Sequence, residues 1–355
     1  MKAVRSQARS PDHARPTALD LFSGCGGLTL GLKQAGFRVL GAVDNDPLSV
    51  QTYKANHPEV FIWDQDIREL KTSVVQRKLG LRKGVLDLLA GCPPCQGFSS
   101  LRTLNGSRKV EDSRNDLLME IQRFVNHLRP KAVMIENVPG LSKDKRFEAF
   151  AGFMERMGYK GEHRILDAAD YGVPQRRKRL IYLAGLNKGI PFALPAESKR
   201  TVRDAIGFLK KAGFSGDTLH DAPEKHSGRV IELIRRIPKN GGSRTSLPKK
   251  YQLPCHQKCK GFKDVYGRMA WNEVAPTITG GCFNPSKGRF LHPKEDRAIT
   301  MREAAILQGF PRNYKFPTNN KKSATALMIG NALPPPFIAA HGKSIRRILR
   351  NNGGT

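Results

Sequence analysis

Thr17-Ala18-Leu19-Asp20-Leu21-Phe22-Ser23-Gly24-Cys25-Gly26-Gly27 passes from a short apolar run into a glycine-rich turn, after which Leu28, Leu30, Leu32 and Ala35 recur at helical spacing up to Gly36. The pattern reads as strand, tight loop and helix, with Gly36 as the helix stop. It then repeats. Phe37 to Val43 forms a second apolar run that meets Asp44-Asn45-Asp46-Pro47, and Pro47 is placed to open another helix. Val60-Phe61-Ile62-Trp63 leads to Asp66, and Val85 to Ala90 leads into a cysteine loop. Leu117, Leu118, Ile121, Phe124, Val125 and Leu128 share one helical face, and Ala132-Val133-Met134-Ile135 is the next buried strand. Strands that alternate with helices predict an α/β fold. Its sheet is doubly wound and mostly parallel, with ligands held beyond the carboxyl ends of the strands.

At 355 residues with 39% apolar content, the chain can build one large domain with a real core and a smaller second one. No apolar run reaches the roughly 18 residues of a membrane span. Residues 1–16 carry Lys2, Arg5, Arg9 and Arg15 with no hydrophobic segment behind them, which predicts a basic flexible arm and no secretion signal. The cysteines (Cys25, Cys92, Cys95, Cys255, Cys259 and Cys282) are sparse and irregularly spaced, so a reducing, cytoplasmic setting with free thiols is expected. Sixty-one Lys plus Arg against 31 Asp plus Glu leave a net charge of +30. Residues 186–296 alone hold 21 basic against 10 acidic residues, and Arg176-Arg177-Lys178-Arg179 is an uninterrupted basic run. A polyanion is the expected partner, with nucleic acid favoured over a membrane surface.

The glycine loop leaves its ligand open. Gly24, Gly26, Gly27 and Gly31 depart from the G-x-G-x-x-G dinucleotide pattern, while Asp44 follows Gly24 by 20 residues, where an acid that binds ribose belongs. A nicotinamide or flavin, S-adenosylmethionine and a purely structural turn all fit the loop. More chemistry lies in Gly91-Cys92-Pro93-Pro94-Cys95-Gln96-Gly97-Phe98-Ser99-Ser100 and Glu136-Asn137-Val138-Pro139-Gly140, which set a thiol and a carboxylic acid each just past a strand-like run. Cys92 and Cys95 could be a redox or zinc pair. No second ligand pair stands at zinc spacing, however, and the prolines describe an extended loop rather than a helix start. Glu136 could sit in an ion pair or act in catalysis. Together, a thiolate and an acid suit a pyrimidine ring: addition of the thiolate at one carbon, with protonation of the ring nitrogen, makes the neighbouring carbon nucleophilic.

Asp20 to Gly27, Pro94-Cys95-Gln96, Asp112-Ser113-Arg114-Asn115, Glu136-Asn137-Val138, Gln175 to Arg179, Arg302 to Pro311 and Gly330-Asn331-Ala332 resemble, in order and spacing, the ordered blocks of the cytosine-5 DNA methyltransferases. The resemblance covers residues 17–185 and 297–342. It implies a Rossmann-like, S-adenosylmethionine-dependent catalytic domain over 17–185, an irregular, strand-containing target-recognition domain over 186–296, and a return to the catalytic domain over 297–355. On the resemblance, Phe22, Gly24, Gly26 and Gly27 line the S-adenosylmethionine site, Asp44 binds the ribose, Asp66 the adenine amine, and Pro94 lies beside the sulfonium. Cys95 is the nucleophile at cytosine C6, Glu136 bonds N3 and the exocyclic amine, Arg177 and Arg179 brace the base, and Asn331 supports the recognition domain and cofactor pocket. Members usually carry Glu where Asp44 stands and an apolar or aromatic residue at Asn45.

The resemblance further implies that the enzyme acts as a monomer on double-stranded DNA, in the bacterial cytoplasm at the nucleoid, beside a cognate restriction endonuclease. The target base must leave the stack to be reached. Gln96, Ser99 and Ser100 are expected on a loop that closes over DNA. In the middle region Arg268 and Lys287 are expected to touch DNA, as phosphate contacts before base contacts. Cys255, His256, Cys259, Cys282 and His292 are too irregularly spaced to predict a metal. A related transferase acting on transfer RNA, and a silent DNA-binding relative, are the alternatives; the long basic middle region opposes the first, and the presence of both Cys95 and Glu136 opposes the second.

Overall fold

The computed structural model describes residues 15–94, 117–253, 263–318 and 322–350. Within them, β1 (Thr17–Leu21) lies inside a sheet, paired in parallel with β2 (Arg38–Asp44) and β4 (Leu88–Gly91). With β3 (Phe61–Asp64), β5 (Ala132–Asn137), β6 (Tyr159–Asp167) and β7 (Lys178–Leu186), the seven strands take the order β3-β2-β1-β4-β5-β7-β6. The first five are parallel. β7 enters between β5 and β6 antiparallel to both.

Alternation along the strands builds two cores. Ala18 faces a layer with Leu28 and Leu32 of α1 (Gly27–Gln34), Val50 and Tyr53 of α2 (Pro47–Asn56), and Phe337, Ile338 and Ile345 near the C-terminus. Leu19 and Leu21 face the other layer, with Val75 of α3 (Thr72–Lys78), the apolar face of α4 (Leu117–Leu128) and Phe147, Phe150 and Met154 of α5 (Lys145–Arg156). Strands covered on both sides explain why these segments read as continuous apolar runs. The predicted start of α2 is seen: Pro47 occupies its first turn, and Asp46 caps it by accepting from Ser49 N at 2.9 Å.

β6 and β7 are absent from the sequence reading. β6 buries only Tyr159 fully, so it lacks an apolar signature, and β7 starts inside the basic run.

A third core joins distant segments. Val202, Ala205 and Ile206 of α6 (Val202–Ile206) and Leu219 of α7 (Thr218–Asp221) pack with Met269, Ile278 and Phe290, with α9 (Met301–Leu307), and with Ile329 of α10 (Lys322–Asn331). Leu233 and Ile234 of α8 (Gly228–Arg236) form a smaller cluster with Ile237, Leu247, Tyr266 and Leu291. Among the described residues, the strands expected in this region reduce to isolated bridges such as Arg268 to Leu291.

The chain closes on itself through α11 (Pro335–Arg350), which runs alongside α1. A Cβ at Gly27 would sit 2.3 Å from Leu333 O, and one at Gly31 2.6 Å from Ile338 Cβ. Gly27→Ala is therefore expected to force the two segments apart and lower unfolding free energy by about 1–3 kcal/mol, read from the denaturant midpoint at unchanged slope.

Candidate active site

The carboxyl ends of β1, β2, β4 and β5 lie side by side in the sheet, and the loops that leave them carry the expected residues. After β1 the backbone turns with positive φ at Phe22 (62°), Gly24 (53°) and Gly26 (95°). Asp44, at the end of β2, accepts Gly24 N at 2.7 Å and Asp46 N at 3.0 Å, one bond on each oxygen. A Cβ at Gly24 would meet nothing within 4 Å, so the loop crest borders open space beside Asp44. Gly26 is enclosed: a Cβ there would lie 2.5 Å from the His57 ring and 2.8 Å from the Tyr314 hydroxyl. That hydroxyl donates to Cys25 O at 2.6 Å, and burial followed by the Lys33 charge lowers His57 to about 4, so the imidazole is neutral. Beneath the loop, Asp20 accepts from the Thr29 hydroxyl at 2.6 Å, and burial pushes its carboxyl up to about 8.

Glu136 is 2% exposed at the end of β5. Its Oε1 pairs with Arg179 Nε at 2.8 Å and its Oε2 accepts from Cys92 Sγ at 2.8 Å. Burial, then the Glu136 charge, raises the Cys92 pKa well above the usual thiol value, so the sulfur keeps its proton and serves as a donor. Nothing in the sequence paired these two residues. The adjacent Asn137 donates to Pro93 O at 2.9 Å, which ties the proline loop to β5. Pro94 is exposed at the end of this loop. Cys95, Gln96, Ser99 and Ser100 lie outside the described residues.

The basic run is divided by strand alternation. Arg176 and Lys178 face water, Arg177 is buried and Arg179 half-buried against Glu136, so only half of the run belongs to the surface. Arg177 donates to Ile278 O at 3.2 Å and Gly330 O at 2.9 Å. Gln175 accepts from Ile278 N and donates to Leu307 O and Gln308 Oε1. These two residues join the sheet to the middle region and to the returning segment.

Other expected residues fare differently. Asp66 follows β3, and both of its oxygens are engaged by Arg68. Asn331 is exposed at the end of α10, and Lys287 is exposed. Arg268 needs correction as a DNA contact. It is 0% exposed and donates to Ile234 O, Ile237 O, His292 O and Glu295 O while pairing with Asp296, so its guanidinium holds the small cluster together from within. Among the described residues no group of three or more His, Cys, Asp or Glu could hold a metal, and no helix is long and apolar enough to cross a membrane.

The model of the C-5 cytosine-specific DNA methylase family matches residues 17–347. The chain is 38% identical to the Type II methylase M.HgiDII of Herpetosiphon aurantiacus, over 93% of this chain and 95% of the relative. It is 35% identical to the Type II methyltransferase M1.HphI of Haemophilus parahaemolyticus, over 94% and 88%. Among solved structures it is similar to a DNA modification methyltransferase encoded within a prophage of Escherichia coli, with TM-score 0.68 and 26% identity over 94% of this chain and 99% of that one.

The buried role of Arg268 gives a direct test. Arg268→Met removes the shared donor of four carbonyls, although Ile234 O keeps Ile237 N and Asp296 keeps Lys239, and is expected to lower stability by about 2–4 kcal/mol, with early proteolysis within residues 228–296. A surface phosphate contact would leave both readouts unchanged.

Proposed function

Because the chain belongs to the C-5 cytosine-specific DNA methylase family, we propose that it transfers the methyl group of S-adenosylmethionine to C5 of a cytosine turned out of a specific double-stranded DNA sequence, by way of a covalent Cys95–C6 bond. The observation that carries this reading is the Glu136 carboxylate, buried at the end of β5 and gripped by Arg179 and Cys92. A carboxyl group fixed in this way can bond the N3 and exocyclic amine edge of an extruded cytosine, a contact unavailable while the base is stacked. Charge that flows toward N3 when a thiolate adds at C6 would then be neutralised by a proton held between N3 and the Glu136 carboxyl group, which is already oriented for it. Arg177 and Arg179, whose charges already act on Cys92, would favour a thiolate at Cys95.

The residues present fit the methyl donor. Each Asp44 oxygen accepts one backbone N–H and keeps a free lone pair for a ribose hydroxyl, and the open crest at Gly24 leaves room for an adenosine. Phe22, Gly26, Gly27 and Pro94 would complete that pocket, with Asn331 and Asp66 at its margin. When bound, S-adenosylmethionine supplies an electrophilic methyl group on a sulfonium. Residues 186–296 would read the DNA sequence, with Lys287 on phosphate, while Gln96, Ser99 and Ser100 would close over the target. The relatives' names as Type II enzymes support a restriction-modification setting with a cognate endonuclease, in which the chain would act as a cytoplasmic monomer.

Incubation with labelled methyl donor and either DNA or RNA, followed by mapping of the modified base, tests the reading; labelling of RNA alone would overturn it. Cys95→Ser is expected to abolish transfer while DNA binding persists. A duplex carrying 5-fluorocytosine at the target should trap Cys95, since fluorine cannot leave as a proton does. An adduct on Cys92 would reverse the assignment of the nucleophile. Cys92 instead is expected to act through its hydrogen bond. Cys92→Ser keeps a donor to Glu136 and should retain activity, whereas Cys92→Ala should lower kcat by about tenfold, the equivalent of about 1.4 kcal/mol, with the KM for the methyl donor unchanged.

A further inference from the structure

We propose that a basic cleft at the end of α11 binds the phosphate backbone of a second DNA segment, separate from the one that carries the target cytosine. The proposal rests on DNA being the substrate. Among the described residues the cleft is lined by Lys343, Arg346, Arg347 and Arg350. α11 carries no acidic side chain in its sixteen residues, and no acid among the described residues forms an ion pair with any of the four. Their spacing sets like charges three and four positions apart on one helix, an arrangement that opposes folding unless an anion offsets it.

Arg346 helps to build the cleft. Its Nη1 donates to Ala35 O at 3.2 Å, while its Nε is buried with no partner. It also lies against Gly36, whose φ is +88° and where a Cβ would come within 2.4 Å of Nη1. The stem is thus held by the end of α1, and the three other cations are left for a ligand. From Lys343 to Arg350 the helix rises about 10 Å, which spans about three phosphates of one DNA strand at 3.4 Å each. A row of this length suits a polyphosphate backbone better than a single small anion.

Position separates this cleft from the target site. Leu333 lies against Gly27 at the start of α1, Ile338 against Gly31, and Gly342 against Ala35, so α11 runs parallel to α1 away from the carboxyl edge of the sheet. Arg346 is therefore on the order of 17 Å beyond the glycine loop, at the opposite edge from Glu136. A straight duplex seated at Glu136 does not reach it. DNA long enough to bend back does, and simultaneous hold on two segments would let the enzyme pass between sites without full release.

The test compares Lys343→Ala/Arg347→Ala/Arg350→Ala, with Arg346 left in place, against a charge-matched control, Lys71→Ala/Lys145→Ala/Arg77→Ala, at exposed cations outside the cleft. Each is measured on a duplex of about 12 base pairs that carries the target and on DNA of about 600 base pairs, about four persistence lengths. On the long DNA, the cleft variant is expected to flatten the slope of log binding constant against log salt by about 2 to 3 relative to wild type and the control. On the short duplex, its affinity and methylation rate should equal those of wild type. Equal slopes for the cleft variant and the control would overturn the proposal. So would an equal loss on the short duplex, which would assign the cleft to the target segment. Methylation of the short duplex by wild type reports separately on the proposed function.

Discussion

The guanidinium of Arg177 is 3% exposed, and a cation taken out of water must find acceptors or cost the fold several kcal/mol. Its acceptors are the carbonyls of Ile278 and Gly330, which lie 101 and 153 residues farther along the chain. Burial, then repulsion from Arg179, lowers its pKa to about 9, so it is charged at neutral pH and the need for acceptors holds. The catalytic sheet, the middle region and the returning helix α10 therefore form one cooperative unit. The contact also dictates residue type: a Cβ at Gly330 would lie 2.5 Å from both Gly280 N and the Thr279 carbonyl carbon, so only glycine allows the approach.

The antiparallel insertion of β7 has a consequence at the site. Glu136 is paired with Ile181 and Asn137 with Leu180, so the start of β7 lies beside the end of β5. Arg179, two residues before Ile181 and on the same face, thereby reaches Glu136. Were β7 parallel, its first residues would lie at the opposite edge of the sheet. The reversal is thus what allows a basic side chain to hold the acid, while Cys92 arrives from the neighbouring β4.

β1 to β5 were legible in the sequence because a strand covered on both faces leaves an unbroken apolar run, and because glycine, aspartate and proline punctuate the ends. β6 and β7 were hidden for physical reasons. β6 is an edge strand with a polar exposed face, and four consecutive basic residues mask the two-residue alternation that buries Arg177 and turns Arg179 toward Glu136. The ends of β1, β2 and β5, and with them the positions of Gly24, Asp44 and Glu136, were readable from strand-then-loop order, while the roles expected of them came from the family resemblance. The Cys92 bond to Glu136 was not, since the residues are 44 apart and only the adjacency of β4 and β5 joins them. Arg268 misled for a related reason: nothing local distinguishes an arginine that meets a phosphate from one that satisfies four carbonyls inside a small core.

Among the described residues of 186–296 the regular elements are short helices, so the course of the chain from there into α9 depends on buried polar groups. Glu303 of α9 accepts from both Nη atoms of Arg297, at 2.7 and 2.8 Å, and from Thr300 N at 2.8 Å. Residues on either side of position 296 bury their side chains in one core, with Met269, Ile278 and Phe290 packed on Ile299, Met301 and Ala304. A segment anchored in this way at Arg268, Arg297 and Arg177 can change the side chains it presents outward without losing its backbone course. On the proposed reading of residues 186–296 as the part that meets DNA, that separation of anchoring from presentation would allow what is read to change while Glu136 and its partners stay fixed.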